Sequence, residues 1–178
     1  MIKTRTAIII MLVAILGSST ISAVSSMNSM VTKLETHFFE GETDYANQSI
    51  YADILKKANT ATKLANLAKE YIGANESHVK KILQISNDIR ETKSISKLYD
   101  EMNTLDENVK WLTSELSNKD LTDTHRTMLN GYRGEYRSET NTINSDNYNT
   151  LVRRYYDETK GFPGSVFRLI AKKAEYFE

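Results

Sequence analysis

Ile95, Leu98, Met102, Leu105, Val109, Leu112 and Leu116 follow one another at a 3-4-3-4-3-4 spacing. That spacing keeps a single apolar seam on one face of a helix and breaks the two-residue period of a half-buried strand. Sustained over several turns, it implies left-handed, coiled-coil-like packing against other helices. A chain carrying this seam needs further helices with matching apolar faces, and the rest of the sequence supplies them.

Ile54, Ala58, Ala61, Ala65, Ala68 and Ile72 form a stripe of 4-3-4-3-4 spacing, widened by Leu64, Leu67 and Tyr71. Its small alanines predict close helix–helix approach, and core packing is the expected use of the stripe rather than a ligand groove. Gly73 follows directly, and Gly41 follows Phe38-Phe39-Glu40; glycine just past a periodic run is a C-cap signal. Val79, Ile82, Ile85 and Ile89 precede the heptad seam, with a phase shift at Thr92-Lys93-Ser94 that predicts a kink or short break. Ser117-Asn118-Lys119-Asp120 reads as a polar turn, after which Asp120 or Thr122 can cap a helix. That helix carries Leu129, Tyr132, Tyr136, Thr140, Ile143, Asn147, Leu151, Tyr155 and Thr159, is weakened by Gly131 and Gly134, and stops at Gly161 and Pro163.

The expected elements are a helix to about Glu40, then helices at roughly 44–72, 76–117 and 122–160, without strands. Short connections predict antiparallel neighbours, and a helix of ~40 residues would be ~60 Å long. The expected fold class is all-α: an elongated antiparallel helical bundle of long helices, preceded by an N-terminal membrane helix. The expected organisation is a membrane anchor or signal segment at 1–26, a helical bundle at 27–163 and a short tail at 164–178.

The N-terminal expectation rests on Lys3 and Arg5, followed by the apolar run Ala7 to Gly17, with no charge between Arg5 and Lys33. A short apolar core behind a positive region, with Ile21-Ser22-Ala23 as a cleavage site, is a signal-peptide layout. The uncharged stretch Ala7 to Val24 is also just long enough to span ~30 Å of hydrocarbon. A plain buried helix is the third reading of such a run. Lys3 and Arg5 precede the segment while Lys33, Glu35, Glu40, Glu42 and Asp44 follow it. The positive-inside rule then places the N-terminus in the cytoplasm and the body outside.

Lys and Arg balance Asp and Glu at 23 each, so no basic field marks a nucleic-acid partner. Without cysteine the chain has no thiolate nucleophile, disulfide, Cys-ligated metal or lipid-modified cysteine. His37, His78 and His125 fall on three different expected helices, with no Glu-x-x-His or His-x-x-x-His pattern; surface or cap roles are expected. The acidic pairs Asp106-Glu107 and Asp157-Glu158 occupy adjacent positions that do not face each other on a helix, and solvated faces are expected. Gly131-x-x-Gly134 follows no strand, and no phosphate-loop or nucleophile-elbow motif occurs. Trp111 flanks the heptad seam as a core-edge residue. Tyr132, Tyr136, Tyr148, Tyr155 and Tyr156 crowd one helix, where core packing is favoured over a partner surface. No catalytic, cofactor-binding or metal-ligating residue is expected, and no enzyme.

The chain closes with Tyr148-Asn149-x-x-Val152-x-x-Tyr155, Phe162-Pro163 and a final Tyr176-Phe177-Glu178. This pattern resembles the C-terminal signature of the LemA family of bacterial membrane-anchored helical proteins. Met27-Asn28-Ser29-Met30-Val31 is similar to the YN-x-L-V motif that follows the family's membrane helix, with Met27 for the Tyr and Met30 for the Leu. Tyr156 stands where the family usually has a second Asn. Of the family's ID-x-Q-L-x-R-R-x-D-L-I-P-N-L-V run only Asp53-Ile54-Leu55 is similar, with Lys56 in place of the Pro. The resemblance covers both ends and little of the middle. It implies an uncleaved anchor, an elongated helical bundle and no accepted enzymatic activity.

The functional expectation is a membrane-anchored, non-enzymatic helical bundle with an interaction or scaffold role at a bacterial-type cell envelope. Its partners would be the membrane, through a single span, and a protein or second copy along the helical seams. The alternative is a secreted, self-associating or membrane-perturbing helical protein after signal cleavage. Val166, Phe167, Leu169 and Ile170, with Arg168, Lys172 and Lys173 around them, form the tail. Docking on the bundle end is expected for it; lying on a membrane surface as a basic amphipathic segment is the alternative.

Overall fold

The computed structural model describes residues 4–41 and 49–178, and within the first helix the side chains of Met11 and of Ser18 onward. Its elements are α1 (Thr4–Glu40), α2 (Ile50–Tyr71), α3 (Ser77–Glu91), α4 (Ile95–Ser117), α5 (Asp123–Ser145), α6 (Tyr148–Glu158) and α7 (Gly164–Phe167). The protein is all-α: among the described residues there is no strand. The expected start of the second helix near Asp44 lies outside the described residues. Among the described residues no helix is long and apolar enough to cross a membrane. The expected N-terminal membrane helix thus has no structural support of its own, and most of its apolar run lies outside the side chains described.

Two compact units divide the chain: one is His37–Asn149 with Glu175–Glu178, the other Met1–Thr36 with Thr150–Ala174.

In the larger unit the two best sequence patterns form the core. All seven heptad residues from Ile95 to Leu116 are buried, as are Ile54, Ala58, Ala61, Ala65 and Ala68. The alanine seam does what small side chains allow: the Ser86 hydroxyl of α3 reaches the backbone of α2 and donates to the Ala58 carbonyl (3.2 Å). Gly41 and Gly73 adopt φ of 82° and 101°, the left-handed conformation that glycine adopts without a Cβ penalty and that ends helices. Thr122 caps α5 by accepting from His125 N (3.2 Å).

The long helix expected over 76–117 is instead a hairpin. Uninterrupted, it would hold His78 and Trp111 about 50 Å apart at 1.5 Å per residue. In the structure their rings stack at 4.0 Å. Thr92 ends α3 in an extended conformation and Ser94 starts α4 by accepting from Lys97 N (3.4 Å), so the chain reverses rather than bends. Glu76 caps α3 through its carboxylate, bonded to the His78 and Val79 amides. The α2–α5 pair is antiparallel too: Tyr71 meets His125, Lys63 meets Glu135 and Lys57 meets Tyr136.

The helix expected over 122–160 also breaks. Asp146 leaves α5 in an extended conformation and accepts from Tyr148 N (2.7 Å), starting α6. The break rephases the seam: Tyr148, Val152, Tyr155 and Thr159 are buried, Leu151 is half-buried and Asn147 is exposed.

Among the described residues of the smaller unit the buried positions are Met27 and Val31 of α1, Val152 and Tyr155 of α6, Thr159 just past its end, and Ala174. The tail is tied down at three points. Asn28 Oδ1 accepts from Lys172 N (2.7 Å), Lys172 pairs with Glu35, and the Tyr156 hydroxyl donates to the Ala174 carbonyl (2.7 Å). The turn into α7 contains a cis Phe162–Pro163 bond. Here Gly164 is required by space: a Cβ at that position would stand 2.8 Å from the Thr159 carbonyl oxygen. Gly164→Ala is therefore expected to cost about 1–3 kcal/mol, the range for forced overpacking. Gly161→Ala, with nothing within 4 Å, serves as the neutral control in thermal unfolding.

The tail corrects one expectation. Of the cluster expected to dock, Val166, Leu169 and Ile170 are exposed, while Phe167 is half-buried. Helix α7 is four residues long, too short to present a continuous apolar face.

Candidate functional site

Two constellations in the larger unit bring polar chemistry into packed surroundings. The first joins three helices. Lys57 of α2 has a side chain only 1% exposed, and its Nζ lies 2.7 Å from Asp106 Oδ1 and 3.0 Å from Oδ2 on α4. The Tyr136 hydroxyl of α5 donates to Asp106 Oδ1 at 2.6 Å, and Lys57 Nζ sits 4.9 Å from the centre of the Tyr136 ring. Burial pushes the Lys57 ammonium below its ordinary range, against the opposing hydrogen bond and charge of Asp106. Burial and the Asp106 charge push Tyr136 above its own. A lysine depressed in this way can act as a base or a Schiff-base nucleophile where a substrate reaches it. Here Nζ is enclosed by the Asp106 carboxylate and a tyrosine face, an arrangement that pins α2, α4 and α5 to one another. Asp106 reaches water, with a side chain 41% exposed, at a cleft lined by Leu64, Val109, Lys110, Arg133 and Arg137.

The second constellation is a clamp on residues 175–177. Tyr148 donates its hydroxyl to the Glu175 carbonyl (2.8 Å). Asn149 offers both faces of its amide to one residue: Nδ2 donates to the Phe177 carbonyl and Oδ1 accepts from Phe177 N, both at 2.8 Å. Phe177 packs against Phe38 and Tyr99, and Phe38, which has no exposed surface, also meets Tyr148 and Phe39 edge-on. The Glu175 carboxylate accepts from Ser94 Oγ (2.9 Å), Ser96 N (3.1 Å) and Ser96 Oγ (3.3 Å) at the start of α4. Burial alone would raise Glu175; these bonds outweigh it and hold the carboxyl below its ordinary value.

A group depressed in the folded state contributes stability that is present above its unfolded value and lost as pH falls through the folded one. Acidification below the ordinary 4.5 is thus expected to loosen the clamp. Glu175→Gln is expected to be about 1 kcal/mol less stable at neutral pH, the usual size of a helix cap, and to lose less on acidification. Thermal unfolding across that window checks it; equal acid slopes in the two proteins would remove Glu175 from the account.

Of the residues weighed from the sequence, the structure uses Tyr148, Asn149 and Phe177 together. Tyr156 holds Ala174 in the other unit. Asp106 corrects an expectation: its carboxylate is engaged by a buried cation rather than only solvated. Lys57 was legible in principle, since it lies three residues after Ile54 and four before Ala61, on the buried face. The histidines stay apart: His78 stacks on Trp111 with Nδ1 2.9 Å from Asn108 Oδ1, and His125 Nδ1 lies 2.6 Å from the Tyr71 hydroxyl. Among the described residues no group of three His, Asp or Glu side chains is placed to hold a metal ion.

No protein-family model matches this chain, and no curated protein or solved structure matches it.

Proposed function

We propose that the protein is a membrane-anchored, non-enzymatic helical bundle of the LemA type with an interaction or scaffold role at the cell envelope. The observation that carries this reading is the clamp. The signature residues Tyr148, Asn149 and Phe177 bond and pack with one another, which gives them a structural occupation rather than a chemical one. The enclosure of Lys57 by Asp106 and Tyr136 supports the non-enzymatic part in the same way. The anchor rests on the basic residues Lys3 and Arg5 before the apolar run, and α1 continues without a break from Thr4 to Glu40.

Carbonate extraction of membranes from cells producing the full chain, followed by N-terminal sequencing, tests the proposal. Retention in the pellet with an intact N-terminus is expected. A soluble product beginning near Val24 would overturn the anchor and favour the secreted reading. In-membrane crosslinking then tests the interaction role, which requires a reproducible partner or self-association.

A further inference from the structure

The neutral chain is electrically divided. The unit Met1–Thr36 with Thr150–Ala174 holds nine Lys and Arg against three Asp and Glu, a net charge of +6; the other unit holds fourteen against twenty, a net of −6. The same basic unit carries the exposed apolar side chains. Phe162 is 88% exposed, Leu169 81%, Ile170 68% and Ile21 73%, whereas the acidic unit contributes Met128 alone among the described residues, at 37%. Lys160 to Lys173 contains four basic residues and no acidic one. Asp157 pairs with Lys160, and Glu35 with Lys172, while Arg168 lies over the Tyr156 ring. Exposed apolar residues set among excess positive charge match one surface in both respects, an anionic lipid leaflet.

We infer that residues 160–173 rest on an anionic phospholipid surface, with Phe162, Leu169 and Ile170 entering the acyl boundary and the surrounding Lys and Arg meeting headgroup phosphates. The placement rests on the anchor of the proposed function. A helix that crosses ~30 Å of hydrocarbon with residues 7–24 brings residues near 21–24 to the far interface. Ile170 lines a groove with Thr20, Ile21, Val24, Ser25 and Asn28 of α1, so the tail sits at that depth. Apolar tips then reach inward while long cationic stems keep their charges at the headgroups.

The absence of cysteine makes the test direct. Leu169→Cys and Ile170→Cys, both at exposed sites, and Met128→Cys as a control each receive an environment-sensitive fluorophore. The full chain is then reconstituted into phosphatidylcholine vesicles with or without phosphatidylglycerol. On anionic vesicles the probes at 169 and 170 are expected to be quenched by lipid-borne nitroxide and shielded from aqueous iodide, while the probe at 128 stays in water. Arg168→Ser and Lys173→Ser are each expected to lower the equilibrium constant for insertion of the tail about fivefold, the factor for one cation at an anionic surface. Iodide access to positions 169 and 170 on anionic vesicles would overturn the inference. So would shielding that appears without lipid and grows with protein concentration, which would mean that a second copy covers the patch. Carbonate extraction of the same vesicles separates the two readings. Retained protein with a water-exposed tail sinks the inference alone; extracted protein whose tail had been in lipid sinks the anchor alone.

Discussion

Asp106→Ala is expected to destabilise the protein by about 3 kcal/mol, the low end of the range for orphaning one partner of a buried ion pair. The low end applies because Asp106 is 41% exposed and water screens part of the interaction. The substitution leaves the Lys57 ammonium buried without its counter-charge and removes the acceptor of the Tyr136 hydroxyl. Lys57→Met is expected to cost clearly less. It removes the buried charge, keeps an unbranched apolar stem in the core and leaves Asp106 free to meet water. Denaturant unfolding followed by circular dichroism ranks the two, and a Lys57→Met protein as unstable as Asp106→Ala would refute this account. The pH dependence carries the same signature. Lys57 is depressed, so below the ordinary 10.5 and down to its folded value the unfolded chain holds a proton that the folded chain has released, and stability rises with pH there. Tyr136 is raised, so above the ordinary 10.0 the unfolded chain loses its proton first and stability falls. Lys57→Met removes the first trend and leaves the second.

Phe38→Ala is expected to cost about 3–5 kcal/mol, the range for truncating a buried Phe. Phe38 has no exposed surface and its ring meets those of Phe39, Tyr148 and Phe177 at centroid distances of 5.1, 5.1 and 5.4 Å. The effect extends to the clamp, because Phe177 loses the aromatic wall that holds it beside Asn149. Hydrogen exchange at the Phe177 amide should accelerate in Phe38→Ala as well as in Asn149→Ala. The global loss should be larger for Phe38→Ala, since Asn149→Ala removes hydrogen bonds worth about 1 kcal/mol each. Unchanged exchange at Phe177 in Phe38→Ala would separate the aromatic cluster from the clamp.

The helices themselves were legible because their apolar periodicity is strict. The heptad seam is buried at all seven positions and the alanine stripe from Ile54 to Ala68, with only Ile72 at the helix end half-buried, and Gly41 and Gly73 mark ends that only a left-handed residue makes easily. The turns were harder to read. Thr92-Lys93-Ser94 and Asn144 to Asn147 contain neither Gly nor Pro. A helix seam that resumes after such a gap looks alike whether the chain bends or reverses. The difference is decided by tertiary contacts such as His78 on Trp111, which no local pattern encodes. The burial of Lys57 is hidden for a related reason: a lysine beside an apolar stripe normally snorkels to water. Its burial follows from Asp106, far along the chain on another helix. The clamp was half visible: Tyr148-Asn149 and Tyr176-Phe177-Glu178 stand out in the sequence, but nothing local shows that they touch.

The ring of Phe177 against Phe38 also has a consequence for the order of assembly during synthesis. Phe38 emerges from the ribosome early, while Glu175 and Phe177 follow only after every helix of the larger unit has been made. Until then the aromatic wall of Phe38, Tyr99 and Tyr148 lacks a ring it is built around, and the first turn of α4 lacks its Glu175 cap. Completion of this unit therefore waits on contacts among the most distant in sequence, the kind that slows folding. A polypeptide interrupted before residue 175 would display that unfinished wall to other chains and to proteases, whereas one that includes Phe177 packs its ring against it.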